Sequence, residues 1–185
     1  MAKILLVYGT TEGHTAQIAQ RMAESMRAGG HEVDVRDSKE VRRSTVENGY
    51  DGVLVGGSVH AGEHQSSVRE FVRRNRDLLQ RLPSAFFSVS LTAVEVDEEA
   101  RQETRAMVDK FVRETGWQPS RVEAIAGALV YSQYNIFIRQ IMKLISRHQR
   151  GPTDTSQDYD YTDWEAVAKF AREFADSLES TPRRG

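Results

Sequence analysis

A doubly wound parallel α/β sheet of five strands, in the order 2-1-3-4-5, is the fold class that this sequence predicts. Three observations predict it. Short apolar runs alternate five times with segments of helical periodicity, the arrangement of successive strand–helix–strand units. The third apolar run, Tyr50 to Ser58, is apolar enough to be buried on both faces, as a central parallel strand must be. A chain of 185 residues also has room for one such sheet with a sizeable core, and a second full domain would be cramped. One domain over residues 1–180 follows, with 131–161 as an insertion after or within the fifth strand and 181–185 as a disordered tail.

The elements follow in order. Ile4, Leu5, Leu6, Val7 and Tyr8 make the first strand, and Ile18, Ala19, Met22, Ala23 and Met26 recur at helical spacing behind it. Gly29 and Gly30 stop that helix, and His31 to Arg36 alternates as the second strand. Ser38 to Asn48 is polar, a loop or weak helix. The third strand precedes a helix over Ser66 to Arg81, with Val68, Phe71, Val72, Leu78 and Leu79 on its inner face. Pro83 opens the fourth strand, Ala85 to Leu91, and Glu98 to Glu114 forms a helix around Ala106, Met107, Val108 and Phe111. Arg121 to Val130 is the fifth strand. Thr162, Asp163, Trp164 and Glu165 begin the last helix, whose inner face carries Trp164, Val167, Ala168, Phe170, Ala171 and Phe174.

Composition excludes several function classes. With 39% hydrophobic and 28% charged residues the chain reads as globular, and no apolar run approaches the ~18 residues that span a bilayer. The short apolar run before Thr10 reads as a core strand, so a cytoplasmic location is expected. The absence of cysteine removes disulfides, thiolate nucleophiles and thiolate metal sites, leaving any redox chemistry to a bound organic cofactor. A net charge of −2 lacks the basic excess on which nucleic-acid binding draws.

The first strand ends in Gly9-Thr10-Thr11-Glu12-Gly13-His14-Thr15, and the first helix begins inside this turn. Backbone N–H groups at a helix start lack intrahelical partners and lie at the positive end of the dipole, so the turn suits a phosphate. The Thr hydroxyls add donors, and Gly13 lets the main chain approach closely. Neither G-x-G-x-x-G nor the P-loop spacing is present, and no Lys or Arg lies in the turn. A phosphate monoester held by neutral donors is expected. The hydroxyl-rich turn with an internal Gly and a closing Thr resembles the FMN phosphate loop of flavodoxins.

In a sheet of this order ligands sit beyond the carboxyl ends of the strands where strand order reverses, here between the first and third. Two further loops reach that point: Ser58-Val59-His60-Ala61-Gly62-Glu63-His64 and Ser90-Leu91-Thr92-Ala93-Val94. They are expected to hold a flavin ring through backbone groups of Ser58, Val59, His60, Ala61, Gly62, Ser90, Leu91, Thr92 and Ala93. Neither loop contains a Phe, Tyr or Trp. His60 and His64 are the candidates for contact with ring or substrate, and solvent-facing loop histidines fit the same residues. Their spacing lacks a third ligand of compelling placement, so no metal is expected.

Between the fifth strand and the last helix, Tyr131 to Tyr161 is longer than a simple connection needs. Within it Tyr134, Phe137, Ile138, Ile141, Leu144 and Ile145 share one helical face bordered by Arg139, Lys143 and Arg147. That pattern suits an anionic amphiphile, a membrane interface, a partner protein, packing on its own domain, or a second copy of the chain in a homo-oligomer. The acidic residues Asp154, Asp158, Asp160, Asp163 and Glu165 read as a solvated region ahead of the last helix.

The ordered segments Pro83 to Leu91, Trp117-Gln118-Pro119, Ala124 to Tyr131, Ile141 to Ile145, Thr153-Asp154-Thr155 and Tyr161 to Glu165 resemble those of the flavodoxin-type, quinone-dependent protoporphyrinogen IX dehydrogenases. The resemblance covers nearly the whole chain, insertion included. It implies a flavodoxin-like fold and an FMN enzyme that oxidises protoporphyrinogen IX for haem synthesis. It also implies that the electrons pass to a quinone, at the inner face of the cell membrane. Phe137, Arg139, Lys143 and Arg147 would then meet the tetrapyrrole or the membrane. Two other readings fit the same residues: an FMN electron carrier that docks on reductases, and a non-catalytic flavodoxin-like binding module.

Overall fold

The computed structural model describes residues 1–41, 46, 49–94, 98–129 and 159–179. In chain order the elements are β1 (Lys3–Gly9), α1 (His14–Ala28), β2 (Glu32–Asp37), β3 (Gly52–His60), β4 (Glu63–His64) and α2 (Ser66–Arg81). After them come β5 (Ser84–Ser90), a 3₁₀ turn (Thr92–Val94), α3 (Glu98–Thr115), β6 (Arg121–Ala126), β7 (Ala128–Leu129), β8 (Tyr159–Asp160) and α4 (Trp164–Glu179). The expected tail and all of the insertion before Tyr159 lie outside the described residues, and with them Phe137, Arg139, Lys143 and Arg147. Most of the polar segment from Ser38 to Asn48 does so too.

Five strands pair in parallel in the order β2-β1-β3-β5-β6, which is the expected 2-1-3-4-5 when the parallel strands alone are counted. Successive side chains of β1 point to opposite faces. Ile4 and Leu6 pack with α1 and α4 residues such as Ile18, Met22 and Phe174, while Leu5 and Val7 pack with Val68 and Val72 of α2 and Phe111 of α3. All four β1 side chains are fully buried, so the unbroken apolar run has a partner on each side. At ~1.5–3 kcal/mol per buried large apolar side chain, these two layers are the main source of the fold's stability. Trp117 closes the second layer, its Nε1–H donating to Ser84 Oγ at 3.1 Å.

The structure corrects four details of the sequence reading. The loop expected after the third strand is a hairpin: β3 runs on to His60, and β4 returns antiparallel with Val59 opposite His64. Ala61 (φ 50°) and Gly62 (φ 76°) form its two-residue turn, whose positive φ at both central positions matches the twist of paired strands. On α3 the buried stripe runs Ala100, Thr104, Met107, Val108 and Phe111, and Ala106 is exposed, because the 100-104-107-111 spacing points a different edge at the sheet. The fifth strand is divided at Gly127. Its first part stays in the sheet as β6, and β7 turns out to pair antiparallel with β8.

Lastly, the acidic residues before α4 are not merely solvated. Asp163 Oδ1 accepts hydrogen bonds from the N–H groups of Glu165 (3.1 Å) and Ala166 (2.9 Å), capping α4. Asp160 accepts from the Thr162 N–H at 2.9 Å and from Trp164 Nε1–H at 3.0 Å.

Candidate functional site: a cleft at the strand-order switch

Because β2 and β3 flank β1 on opposite sides, the chain leaves the carboxyl end of β1 in one direction and that of β3 in the other, and a crevice opens between the two exits. A cleft of about 240 Å³ occupies it. One wall is the turn Thr10, Glu12, His14 and Thr15; the second is Ser58, Val59, His60, Ala61 and Gly62; the third is Val89, Ser90, Leu91 and Thr92. Glu103 and Met107 of α3, with Gly127 and Ala128, complete the lining.

The turn is built for an anion. Gly13 precedes α1 with φ 85° and ψ −15°, a left-handed conformation natural to glycine. A Cβ built there would meet nothing within 4 Å, so the space above the turn is open to a ligand. No side chain caps α1 and no acidic residue stands in its first turn, which leaves the positive end of the dipole uncompensated. Thr10 Oγ1 accepts a hydrogen bond from the Gly13 N–H at 2.9 Å, so the turn is closed internally and the Thr10 hydroxyl hydrogen remains for another acceptor. Thr15, at 1% exposure, lines the floor. These features fit a phosphate monoester. Val59, Leu91 and Met107 offer the apolar part of the lining, and no Phe, Tyr or Trp is among the described lining residues.

The second wall separates the two candidate histidines. The His60 side chain is 64% exposed at the rim, with Nδ1 3.8 Å from Glu12 Oε1 of the phosphate turn. His64 is in the core, not in the cleft. It is 4% exposed, shares a 2.8 Å hydrogen bond with Ser88 Oγ, and packs against Phe86 and Phe111 at ring centroid distances of 5.2 and 4.9 Å. Burial, aided by the nearby Arg69 charge and opposed by Glu114, pushes its pKa down to about 4. This corrects the expectation that His64 contacts ring or substrate: the alternation of β4 turns it away.

His14 has a structural assignment that its sequence position did not suggest. The Thr162 hydroxyl donates to the Ala126 carbonyl at 2.9 Å, so its oxygen accepts from His14 Nε2–H at 2.7 Å, which sets the imidazole tautomer. Asp160 Oδ1 lies 3.6 Å from the same nitrogen, and Trp164 meets the ring edge-on. Burial lowers the His14 pKa, with Asp160 and Gln17 working the other way. Burial works to raise that of Asp160, but the hydrogen bonds from Thr162 and Trp164 and the His14 charge hold it below the usual carboxylate range. The turn before α1 is thereby tied to the segment that leads into α4.

Of the remaining sequence candidates, Thr11 and Gly13 belong to the same turn, and Ala93 sits behind the third wall with its N–H donating to Ser90 Oγ at 3.2 Å. Several cleft residues were missed: Met107 reads as core from its helical spacing, Gly127 as ordinary strand, and Glu103 was not singled out. Gln65, whose Nε2 donates to both Thr11 Oγ1 and Ser58 Oγ, was missed as well. The end of β6 at Gly127 and the packing of α2 and α3 against the sheet bring these residues to the crevice.

The Flavodoxin domain family matches residues 5–156. Among curated relatives, the quinone-dependent protoporphyrinogen IX dehydrogenase of Escherichia coli K12 is 38% identical over 173 residues, covering 94% of each chain. That of Leishmania major is 36% identical over 186 residues, covering 98% of this chain and 78% of its own. Among solved structures, oxidised flavodoxin 1 from Bacillus cereus superposes with a TM-score of 0.56 over 95% of this chain and 98% of its own, at 16% identity, a likeness of fold alone.

Proposed function

The chain belongs to the flavodoxin domain family, together with the quinone-dependent protoporphyrinogen IX dehydrogenases, and from that premise we propose that it is an FMN-dependent oxidoreductase. Its substrate is protoporphyrinogen IX and its electron acceptor a quinone. The observation that carries the cofactor assignment is the uncapped α1 N-terminus behind a left-handed Gly13, set at the strand-order switch.

In this reading the first N–H groups of α1 and the hydroxyls of Thr10, Thr11 and Thr15 hold the FMN phosphate without a cationic side chain. Val59, Leu91 and Met107 supply apolar contact to the ring. The hairpin turn at Ala61 and Gly62 brings main chain rather than bulk to the rim. When bound, FMN supplies the redox chemistry that a cysteine-free chain lacks. His60 stands exposed at the rim, where an incoming substrate passes.

The amphipathic segment of the insertion serves the tetrapyrrole or the membrane surface where quinone resides. The support is its sequence: Phe137 and its apolar neighbours with Arg139, Lys143 and Arg147 alongside, suited to propionates or anionic lipid. Among the described residues no helix is long and apolar enough to cross a membrane. Replacing Arg139, Lys143 and Arg147 together with Gln is expected to reduce sedimentation with anionic liposomes, and unchanged partitioning would return that segment to packing within the protein or between copies.

The function is tested by anaerobic turnover of protoporphyrinogen IX by the FMN-reconstituted protein, followed as porphyrin fluorescence, with and without a menaquinone analogue. Quinone-dependent turnover well above free FMN is expected. Absence of turnover with FMN bound and reducible would assign the chain as an electron carrier instead.

A further inference from the structure

We propose that Gln65 is a positioning residue that turns the hydroxyl hydrogens of Thr11 and Ser58 toward the cleft, and so tunes the site for the phosphate ester of its cofactor. The inference rests on the FMN reading above and extends it to a residue outside the phosphate turn.

Gln65 stands at the junction between β4 and α2, and its main chain is held from both sides. Its N–H donates to the Ser58 carbonyl at 3.3 Å, and its own carbonyl accepts from Val68 and Arg69, both at 3.1 Å. The side-chain stem has an equally defined seat. A Cβ on Gly9 would lie 3.2 Å from Gln65 Cβ and 2.3 Å from Val68 Cγ2, so the bare main chain of Gly9 is what lets the start of α2 come up against the end of β1.

From that seat the amide Nε2 reaches two walls at once. It donates to Thr11 Oγ1 in the phosphate turn and to Ser58 Oγ at 3.0 Å on the β3 side. An amide nitrogen has two hydrogens, and this one uses both. Each hydroxyl has a single hydrogen of its own. With Thr11 and Ser58 both accepting from Gln65, neither hydroxyl can aim its hydrogen at Gln65, and both are left as donors. Ser58 is 9% exposed and lines the cleft, and Thr11 lies between the cleft-lining residues Thr10 and Glu12. Hydrogen bonds to a charged phosphate oxygen are about twice as strong as neutral ones, so donors oriented before the ligand arrives favour an anion over a neutral group.

The test compares FMN with riboflavin, which lacks the phosphate. Dissociation constants are measured by flavin fluorescence quenching for wild type, Gln65→Leu and Gln65→Glu, alongside the thermal midpoint of each apoprotein. Gln65→Glu keeps the shape but presents acceptors, which draws both hydroxyl hydrogens away from the ligand and adds a charge beside the phosphate. FMN affinity is expected to fall about tenfold in Gln65→Leu and further in Gln65→Glu, with riboflavin affinity changed by less than about threefold. In a Thr11→Val background Gln65→Leu is expected to cost less than it does in wild type, because Ser58 alone is left for Gln65 to orient.

Equal losses for FMN and riboflavin, or fully independent effects of Thr11→Val and Gln65→Leu, would overturn the inference and leave Gln65 a packing residue. Wild-type FMN binding in Gln65→Glu would overturn it too, while the cofactor reading stands. Failure of the wild-type protein to bind FMN would overturn the cofactor reading itself, and the inference with it.

Discussion

His60 and His64 sit four residues apart on one short hairpin, and their environments have almost nothing in common. The His60 side chain is 64% exposed at the rim of the cleft, facing a carboxylate across 3.8 Å. His64 is 4% exposed under the sheet, packed against Phe86 and Phe111, whose rings stack on one another. The same contrast runs through the cleft as a whole. The end at the start of α1 is braced by Gln65 and by His14 on Thr162, whereas the rim is a two-residue turn with His60 exposed beside Glu12. Hydrogen bonds between distant elements brace the end proposed to hold the cofactor, and the rim proposed to meet substrate is exposed.

The sharpest test of that contrast is acid. His64 is depressed from 6.5 to about 4, so below pH 6.5 the unfolded chain takes up a proton that the folded chain refuses. Its contribution is complete above pH 6.5 and lost as pH falls toward 4, about 3 kcal/mol in all. Urea unfolding across this window is expected to show that slope in wild type and in His60→Ala, and a flatter one in His64→Leu. An unchanged slope in His64→Leu would break the distinction between core and rim.

At the braced end, Gly13→Val forces a β-branched residue into a left-handed conformation and fills the space above the turn. FMN affinity is expected to fall on the order of 100-fold. Thr15→Val removes one buried hydroxyl while keeping its shape, and a loss of about tenfold is expected. Equilibrium titration with FMN checks both, and wild-type affinity in the pair would move the phosphate elsewhere. The smallest effect belongs to the rim. Exposed ion pairs are worth at most about 1 kcal/mol, so His60→Ala should change stability by less than ~0.5 kcal/mol and FMN affinity by less than about threefold. A large loss of turnover in that variant with FMN binding intact would give His60 a part in handling substrate.

Much of this was legible along the chain. The alternation of apolar runs with helical spacing specified strand, helix and layer, because a side chain's face is set by its neighbours two to four positions away. The turn before α1 was legible for the same reason: hydroxyls, glycine and helix start lie within seven consecutive residues, Gly9 to Thr15. The hairpin was not. Ala61 is a poor advertisement for a positive φ, and without the turn the strand period could not be carried past Ser58 to show His64 facing inward.

The sequence by itself thus determined the sheet, its order and the strand–turn–helix that we propose binds an anion, since local periodicity and backbone chemistry suffice for each. Tertiary packing alone decided which distant side chains meet. Gln65 reaches Thr11 because Gly9 lets α2 close on β1, and His14 reaches Thr162, 148 positions away, because α1 and α4 cover the same face of the sheet. Contacts of that range follow from how whole elements pack, and no local pattern encodes them.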